Sequence, residues 1–215
     1  MTVRRTRDII CLRCKEGGDY VLYIQVNEEN IPGTILNRKK MGDVTGKEFL
    51  NKIFYLTDGI MLSQIREISG IDGSTLQNWT KRGWVDNSKL KRYNIDQVAH
   101  ILLINMLRDC LQLDKIAFLI RYINGQVNDR SDDIIKDSDL YDFICKLLDK
   151  LICENEDYRI NNLRDCIAEV VANYDEKITG ARKRIANALD IIIIAHYASI
   201  IKQNADMKLD VLINK

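Results

Sequence analysis

The string STLQNWTKR, at residues 74–82, sets polar and cationic side chains at helical spacing beside two apolar ones. Leu76 and Trp79 are three residues apart, so they share one face of a helix and are expected to be buried. The side chains left on the outer face include Thr75, Gln77, Asn78 and Lys81. Amide groups pair bidentately with adenine, and a lysine ammonium contacts guanine, so such a face can read base pairs in the major groove of DNA. We therefore expect these four residues to contact bases.

A group of cations follows this face directly. The sequence continues as Gly83-Trp84-Val85, a polar tip at residues 86–88, and KLKRY at residues 89–93. A strand, a polar turn and a basic strand would form a wing. Residues 74–93 contain five basic residues and the single acid Asp86, which is the charge pattern expected of phosphate binding. The cations expected to hold phosphates are Arg82, Lys89, Lys91 and Arg92.

Two short helices must position these groups. Ile65 and Ile68 share a face of the first helix, and Gly70 is placed to end it in a left-handed conformation. Ser74, with Gln77 three residues later, forms a capping box that would start the second. Two short helices joined by a glycine turn, the second one polar, predict a helix-turn-helix. The pattern also fits a helical hairpin in an ordinary core, or a module that binds proteins and not DNA.

The string STLQNWTKRGWV, followed by KRYNIDQVAHILLINMLRDCLQLDKIAFLIRYING, resembles the winged helix-turn-helix of MerR-type regulators. Their pattern is a capped recognition helix ending in an aromatic residue, a glycine after the basic turn, an Arg-Tyr closing the wing, and a helical pair. The strings QNWTKRGWV, KRY, DQ, INMLRD, YING and RSDD, in this order, also resemble a bacterial family known as domain of unknown function 1836, over about residues 45–143. The resemblance implies a MerR-like DNA-binding fold and a regulator of transcription.

Capping and periodicity predict the helices around this motif. Thr45 and Glu48 form a capping box that opens a helix from Gly46 to about Leu56. Its expected buried side chains are Phe49, Ile53 and Leu56. Asn94 caps a long helix, at about residues 95–111, whose apolar positions cover more than one face, so we expect it to be central.

Four more helices are predicted beyond this central one. Asp114 caps the first, which ends at Asn124-Gly125. The others span about residues 139–153, 158–174 and 179–208. Residues 189–195 are apolar all round a helix, which favours burial on both sides by neighbouring helices or by a second subunit. We expect a homodimer formed through the C-terminal helices.

The N-terminal 44 residues are the least regular part of the sequence. Their first fifteen residues are basic, which is typical of a frayed terminus or of an arm along DNA. The run Tyr20–Val26 is rich in β-formers and is expected to pair with the segment Thr34–Leu36 beyond the Pro32-Gly33 turn. We therefore predict a mainly α fold. Its parts are an N-terminal arm or small β-hairpin at residues 1–44, a MerR-like winged helix-turn-helix at 45–126, and an all-α dimerisation or effector unit at 127–215.

Six cysteines and two histidines are candidates for metal or redox chemistry. Cys11 and Cys14 form a lone C-x-x-C, whereas a structural zinc site needs four ligands. His100 and His196 both lie in apolar runs and are expected to be packed side chains. The cysteines expected in the reduced core are Cys110, Cys145, Cys153 and Cys166. Zinc shared between two chains, or redox sensing at the C-x-x-C, stays open.

An acidic tract follows at residues 129–142, with six aspartates against two cations. The twelve-residue calcium-loop pattern is absent, so these residues are expected to start helices. Asp132 and Asp133 are expected to cap a short helix through Ile134-Ile135, and Ser138 and Asp139 to start the next one. Phosphate would repel the tract, so it should face away from DNA or mask the basic wing.

Composition limits the remaining classes of function. The 215 residues are 46% hydrophobic and 29% charged, which is globular, and the net charge of +1 gives no overall attraction to nucleic acid. No signal-peptide pattern and no run of 18 apolar residues is visible, so we expect a cytoplasmic protein without a membrane span. No common catalytic motif occurs, and no enzyme activity, cofactor or metal is expected. The expected function is sequence-specific binding of double-stranded DNA by a transcription regulator whose effector the sequence does not indicate. The alternative is a protein-interaction module on the same fold.

Overall fold

The structure, a computed structural model, describes residues 10–14, 20–24, 30–125, 133–153 and 163–214. This part of the chain forms eight α-helices and two small antiparallel β-sheets. The helices are α1 Gly46–Phe54, α2 Leu62–Ser69, α3 Gly73–Lys81, α4 Ile95–Leu107, α5 Leu113–Asn124, α6 Asp137–Cys153, α7 Leu163–Val170 and α8 Ala181–Ile213. The strands are β1 Ile10–Cys14, β2 Tyr20–Ile24, β3 Ile60–Met61 and β4 Arg92–Tyr93. The prediction of a mainly helical fold is confirmed.

Helix α4 lies at the centre of the fold. Ten of its thirteen residues are buried, and it contacts α1, α2, α5, α6 and α8. Its predicted capping box is confirmed: the Gln97 amide donates to Asn94 Oδ1 at 2.9 Å, and the Asn94 amide donates to Gln97 Oε1 at 3.0 Å. The helix ends at Leu107, four residues before the predicted end, so the prediction that Cys110 lies in the core is wrong and this cysteine is exposed.

The buried apolar side chains form one continuous cluster, from Ile31 to Ala195. The C-terminal helices therefore pack on the same core as α2 and α3: α6 contacts α1 and α4, and α8 contacts α4 and α5. Cys145 and Cys166 are buried in this core, as predicted. The predicted domain boundaries stay predictions.

A small β element near the N-terminus is confirmed, but its predicted pairing is wrong. Strands β1 and β2 pair with each other, from Ile10 opposite Ile24 to Cys14 opposite Tyr20. The segment at residues 30–37 instead folds back on itself and docks on the core. Ile31 is fully buried, and Asn105 Nδ2 donates to the Gly33 carbonyl at 2.9 Å.

Helix α1 begins through contacts with α6 and not through its own capping box. The Thr45 hydroxyl donates to Asp149 Oδ2 at 2.9 Å, and the Lys47 amide donates to Asp142 Oδ1 at 2.8 Å. The predicted Thr45 and Glu48 box is therefore wrong, because carboxylates of α6 occupy the helix N-terminus. The helix also stops at Phe54, which leaves Leu56 90% exposed where it was expected to be buried.

The start of α6 is capped in the same way by another helix. The Ser138 amide donates to Asp96 Oδ1, in the first turn of α4, at 3.1 Å. The short helix predicted at Ile134-Ile135 is absent. The Asn124 carboxamide pairs there with both backbone polar groups of Ile135, at 2.5 and 3.2 Å.

The last helices differ in length from their predictions. Helix α5 is capped at Gln112 instead of Asp114, which lies in its first turn. Helix α7 is confined to Leu163–Val170, and the predicted start at residues 158–162 lies outside the described part. Helix α8 runs to Ile213, beyond the predicted end near residue 208.

Helix α8 is long and apolar enough, by length and composition alone, to cross a membrane. This is weak evidence, because core helices of soluble proteins meet the same criterion and 44% of its most apolar window is buried within the fold. The sequence expectation of no membrane span therefore stays a prediction.

Candidate nucleic-acid interface

Helices α2 and α3 form the predicted pair of short helices joined by a tight turn. Gly70 ends α2 with φ 71°, and its amide donates to the Arg66 carbonyl at 2.9 Å. The turn is fixed to α4, because Asn105 Nδ2 donates to the Ser69 carbonyl at 3.0 Å. The apolar faces pack as predicted, since each of the following is at most 2% exposed: Ile65, Ile71, Leu76 and Trp79.

The first turn of α3 is capped by Asp72, so the prediction that Ser74 caps it is wrong. The Asp72 carboxylate accepts from the Thr75 amide at 2.9 Å and from the Thr75 hydroxyl at 2.6 Å. The Ser74 hydroxyl donates to it as well, at 2.5 Å. These hydrogen bonds, from Ser74 first and then from Thr75, hold the pKa of Asp72 well below its usual value. A carboxylate is the better cap here because it carries full charge at the positive end of the helix.

The change of cap also changes the outer row of α3. Gln77, Asn78 and Lys81 are exposed, as predicted, and Ser74 now joins them one turn earlier. These four residues follow the spacing i, i+3, i+4 and i+7, so they form one stripe about 10 Å long. Thr75 is half-buried and its hydroxyl is bonded to Asp72, so it faces the helix start more than the open surface.

The basic hairpin differs from the predicted wing. Lys89 and Arg92 exchange backbone hydrogen bonds at 3.1 and 2.8 Å, which closes a two-residue turn at Leu90-Lys91. Both turn residues have positive φ, 51° and 60°, as a type I′ turn requires. The predicted strand at residues 83–85 and the predicted tip at residues 86–88 are therefore wrong.

Strand β4 pairs with a strand that precedes α2 in the sequence. Ile60 lies opposite Tyr93 and Met61 opposite Arg92, so the strand that follows the turn pairs with β3, directly ahead of α2. Tyr93 is 8% exposed and anchors the pairing in the core. The turn at residues 89–92, supported by this two-strand sheet, lies where the wing was predicted.

The five predicted cations are all exposed, and none of them forms an ion pair within the described residues. Arg82 stacks over the Trp84 ring, with the guanidinium carbon 5.1 Å from the ring centroid. Arg92 Nη1 donates to the Gly59 carbonyl at 2.8 Å, so this side chain also holds the loop before β3. Within the described residues, the ammonium groups of Lys81, Lys89 and Lys91 have no hydrogen-bond or ion-pair partner, so they are available to an anion.

The backbone carbonyl of Trp84 accepts a buried hydrogen bond that the sequence pattern did not reveal. His100 Nε2 donates to the Trp84 carbonyl at 2.8 Å, and His100 Nδ1 lies 3.2 Å from Asp137 Oδ2. Both side chains are buried, at 4% and 1% exposure. The expectation that His100 and His196 are packed side chains is confirmed, since His196 is 5% exposed. The only sequence signal for the contact was a histidine within an apolar run.

Three aspartates of the acidic tract, Asp137, Asp139 and Asp142, contact residues of other helices. Asp139 forms an ion pair with Lys47 of α1, and Asp142 accepts from the Lys47 amide. Asp137 faces His100. These contacts do not support the masking hypothesis. Asp129 and Asp132 lie outside the described residues, as do the side chains of Cys11, Cys14 and Cys153.

A cavity of about 610 Å³ borders the turn between α2 and α3. Its wall includes Ser69, Gly70 and Asn105, and α8 closes another side with Ser199 and Gln203. The volume lies within the range of small-molecule sites. The same turn that orients α3 is therefore one wall of a space of ligand size.

Helices α2 and α3 lie within the part of the chain that matches a known protein family. Residues 48–144, from α1 into α6, match the family described as "Domain of unknown function (DUF1836)". This confirms that resemblance for the matched residues.

A relative is found in Bacillus subtilis (strain 168), the "Uncharacterized protein YkrK", which is 26% identical over 96 residues. The aligned region is 43% of this chain and 41% of that protein, so the chain spans less than half of the relative's length. No solved structure matches the chain significantly.

Proposed function

We propose that this protein is a regulator of transcription that binds duplex DNA through a MerR-like winged helix-turn-helix, with α3 in the major groove. The observation that carries the proposal is the exposed row of α3. A rigid, capped helix presents Ser74, Gln77, Asn78 and Lys81 on one side, while Leu76 and Trp79 fix the other side in the core. Amide, hydroxyl and ammonium groups at this spacing suit the edges of adjacent base pairs.

The cations around this row supply the phosphate contacts of the proposal. Arg82 follows α3 directly, Lys89 precedes the turn of the wing and Lys91 lies in it. Since no acid neutralises them within the described residues, their charge is available to the DNA backbone. Phosphate contacts position a protein on DNA, and base contacts then give it sequence preference.

A protein-interaction module is the second candidate, and one observation favours it. Four large apolar side chains are exposed just after α1, on β3 and on the wing: Tyr55 at 84%, Leu56 at 90%, Met61 at 49% and Leu90 at 96%. Exposed apolar side chains of this size suit a protein partner better than a phosphate backbone.

Selection from a random duplex pool, followed by titration of the enriched sequence at rising salt, separates the two candidates. A DNA regulator enriches a motif, and its affinity falls steeply with salt, with a slope of about −0.9 per phosphate contact. An interaction module enriches no motif and shows at most weak binding by charge. Absence of an enriched motif together with a shallow salt slope would overturn the proposal.

A further inference from the structure

The cavity beside the turn between α2 and α3 is lined by polar groups whose hydrogen-bonding capacity the described residues do not use up. It is the space of about 610 Å³ between α4, α8 and the segment at residues 30–35. Pockets of this volume hold drug-sized molecules, and a di- or tripeptide is a molecule of that size. The cavity is therefore large enough for an organic ligand.

The charged side chains of the cavity limit the charge of such a ligand. Among the described lining residues, Arg108 is the only arginine or lysine and Asp109 the only acid. The Arg108 guanidinium has no ion-pair partner within the described residues, and a carboxylate is the group that matches a guanidinium bidentately. A ligand with several negative charges, such as a nucleotide, would meet Asp109 with no second cation to offset it. A single carboxylate fits this pair of residues best.

Two carboxamide side chains of α8 line the same cavity and are only half used. Gln203 Nε2 donates to Asp109 Oδ2 at 3.0 Å, and Asn204 Nδ2 donates to the Ile200 carbonyl at 2.8 Å. The side-chain oxygens of Gln203 and Asn204 accept no hydrogen bond within the described residues. A carboxamide oxygen accepts from a peptide N–H in the same way as a backbone carbonyl. These two oxygens therefore suit a ligand that contains amide groups.

The deeper wall combines a buried hydroxyl with apolar surface. Ser199 is 2% exposed and lines the cavity, and its hydroxyl makes no hydrogen bond within the described part of the chain. Buried polar groups in proteins nearly always have a partner, so this hydroxyl calls for one from a ligand or a water. Met106, which is 5% exposed, and Ile200 supply apolar wall. A molecule with a polar backbone and an apolar side chain matches this mixture.

The cavity is built from the elements that set the direction of α3. The Ile35 amide donates to the Ile68 carbonyl at 3.0 Å, which ties the segment at residues 30–35 to the end of α2. Asn105 Nδ2 joins the Gly33 and Ser69 carbonyls, at 2.9 and 3.0 Å, on the same side. A ligand in this space therefore lies against the supports of the turn that leads into α3.

We propose that this cavity binds a short peptide with a free carboxyl terminus. The carboxylate pairs with Arg108, and the amide groups donate to the side-chain oxygens of Gln203 and Asn204. The Arg108 guanidinium carbon also lies 5.8 Å from the ring centroid of Trp79, a buried residue of α3. A carboxylate bound to Arg108 therefore changes the surroundings of Trp79. The regulatory meaning of this contact rests on the proposed function, whereas peptide binding itself does not.

The experiment uses the full chain without DNA and a library of tripeptides with free carboxyl termini at millimolar concentration. Peptides that bind the folded state raise the melting temperature by mass action, and calorimetric titration of the best one gives its Kd. Arg108→Gln should raise this Kd by about tenfold or more, because it removes a charge-assisted pair. Amidation of the peptide carboxyl terminus should do the same in the native chain. The two changes together should cost little more than either alone, since they remove the same contact.

The linkage to α3 is read from tryptophan fluorescence. The chain has two tryptophans, so Trp84→Phe leaves Trp79 as the single emitter. The peptide with a free carboxyl terminus should change the Trp79 emission in a saturable way, and the amidated peptide at the same concentration should not.

The matched control is Arg121→Gln, which removes an exposed arginine of α5 that does not line the cavity. It should leave the Kd unchanged, and circular dichroism checks the fold of each variant. The amidated peptide tests the pairing in the native chain even where Arg108→Gln fails to fold. The proposal is overturned if no peptide of the library binds, if affinity survives amidation, or if the Trp79 emission ignores a bound peptide. Since no DNA is present, each of these failures is distinguishable from a failure of the proposed DNA binding.

Discussion

Asp72 and Ser74 show how one side chain at a helix start changes the surface that the helix presents. Because the Asp72 carboxylate caps α3, both the Ser74 and the Thr75 hydroxyls donate to it, while Ser74 lies exposed on the outer row and Thr75 is half-buried. At this scale the proposed reading of bases rests on the groups left exposed at the middle of the row. Gln77 and Asn78 each carry a carboxamide that can both donate to and accept from an adenine edge, and Asn78 is the one tested here.

Asn78→Ala should relax the sequence preference at one base pair, with a loss of about 1–3 kcal/mol of discrimination there, because a bidentate contact is removed. Repeating the duplex selection with the variant measures this. Asn51→Ala, an exposed asparagine on α1, is the matched control and should leave the preference as it was. An unchanged preference in Asn78→Ala would show that α3 does not read bases.

At the scale of elements, the turn of the wing holds two successive non-glycine residues, Leu90 and Lys91, at positive φ. Leu90 has φ 51° at the tip of the turn and is 96% exposed, so no packing compensates for its left-handed backbone. Asparagine or glycine is the usual choice at such a position. A leucine at this position therefore lowers the stability of the folded chain.

Leu90→Asn should raise the free energy of unfolding by roughly 0.5–1 kcal/mol, because asparagine adopts the left-handed region at lower cost than leucine. Urea denaturation of the two proteins gives the difference. Leu56→Asn is the control, since Leu56 is 90% exposed without positive φ and should change stability little. A loss of stability in Leu90→Asn would mean that the leucine packs on something within the chain.

At the scale of the whole molecule, the charge is nearly balanced and only its distribution can attract DNA. The net charge is +1, while the residues from α3 to β4 carry five exposed cations. Several aspartates of α6 are engaged elsewhere, by Lys47, Lys146 and Arg38. The electrostatic attraction of a DNA duplex therefore depends on the local positive charge of the wing and of the end of α3.

Lys91→Ala should weaken binding to all DNA sequences alike and reduce the magnitude of the salt slope by about 1, because one phosphate contact is lost. Titrations of the selected duplex and of an unrelated duplex at several salt concentrations measure both effects. Lys115→Ala, which removes an exposed lysine from α5, should change neither affinity nor slope. Equal salt slopes for Lys91→Ala and the native protein would show that Lys91 does not contact a DNA phosphate and that the wing is not part of the interface.

The sequence by itself determined the features that depend on neighbours within one or two turns. The buried faces of α2 and α3 follow from the spacing of Ile65, Leu76 and Trp79. The start of α4 follows from Asn94 and Gln97, and the end of α2 from Gly70. Each of these rests on hydrogen bonds or packing between residues close in the chain, so local patterns predicted them correctly.

Tertiary structure decided the features whose partners lie far away in the sequence. Helix α1 starts against Asp142, about a hundred residues later, and α6 starts against Asp96. The wing strand pairs with β3, some thirty residues earlier, instead of folding on residues 83–85. Carboxylates and strand edges bind whichever unpaired backbone groups the packed core brings near them, and no local pattern records that proximity.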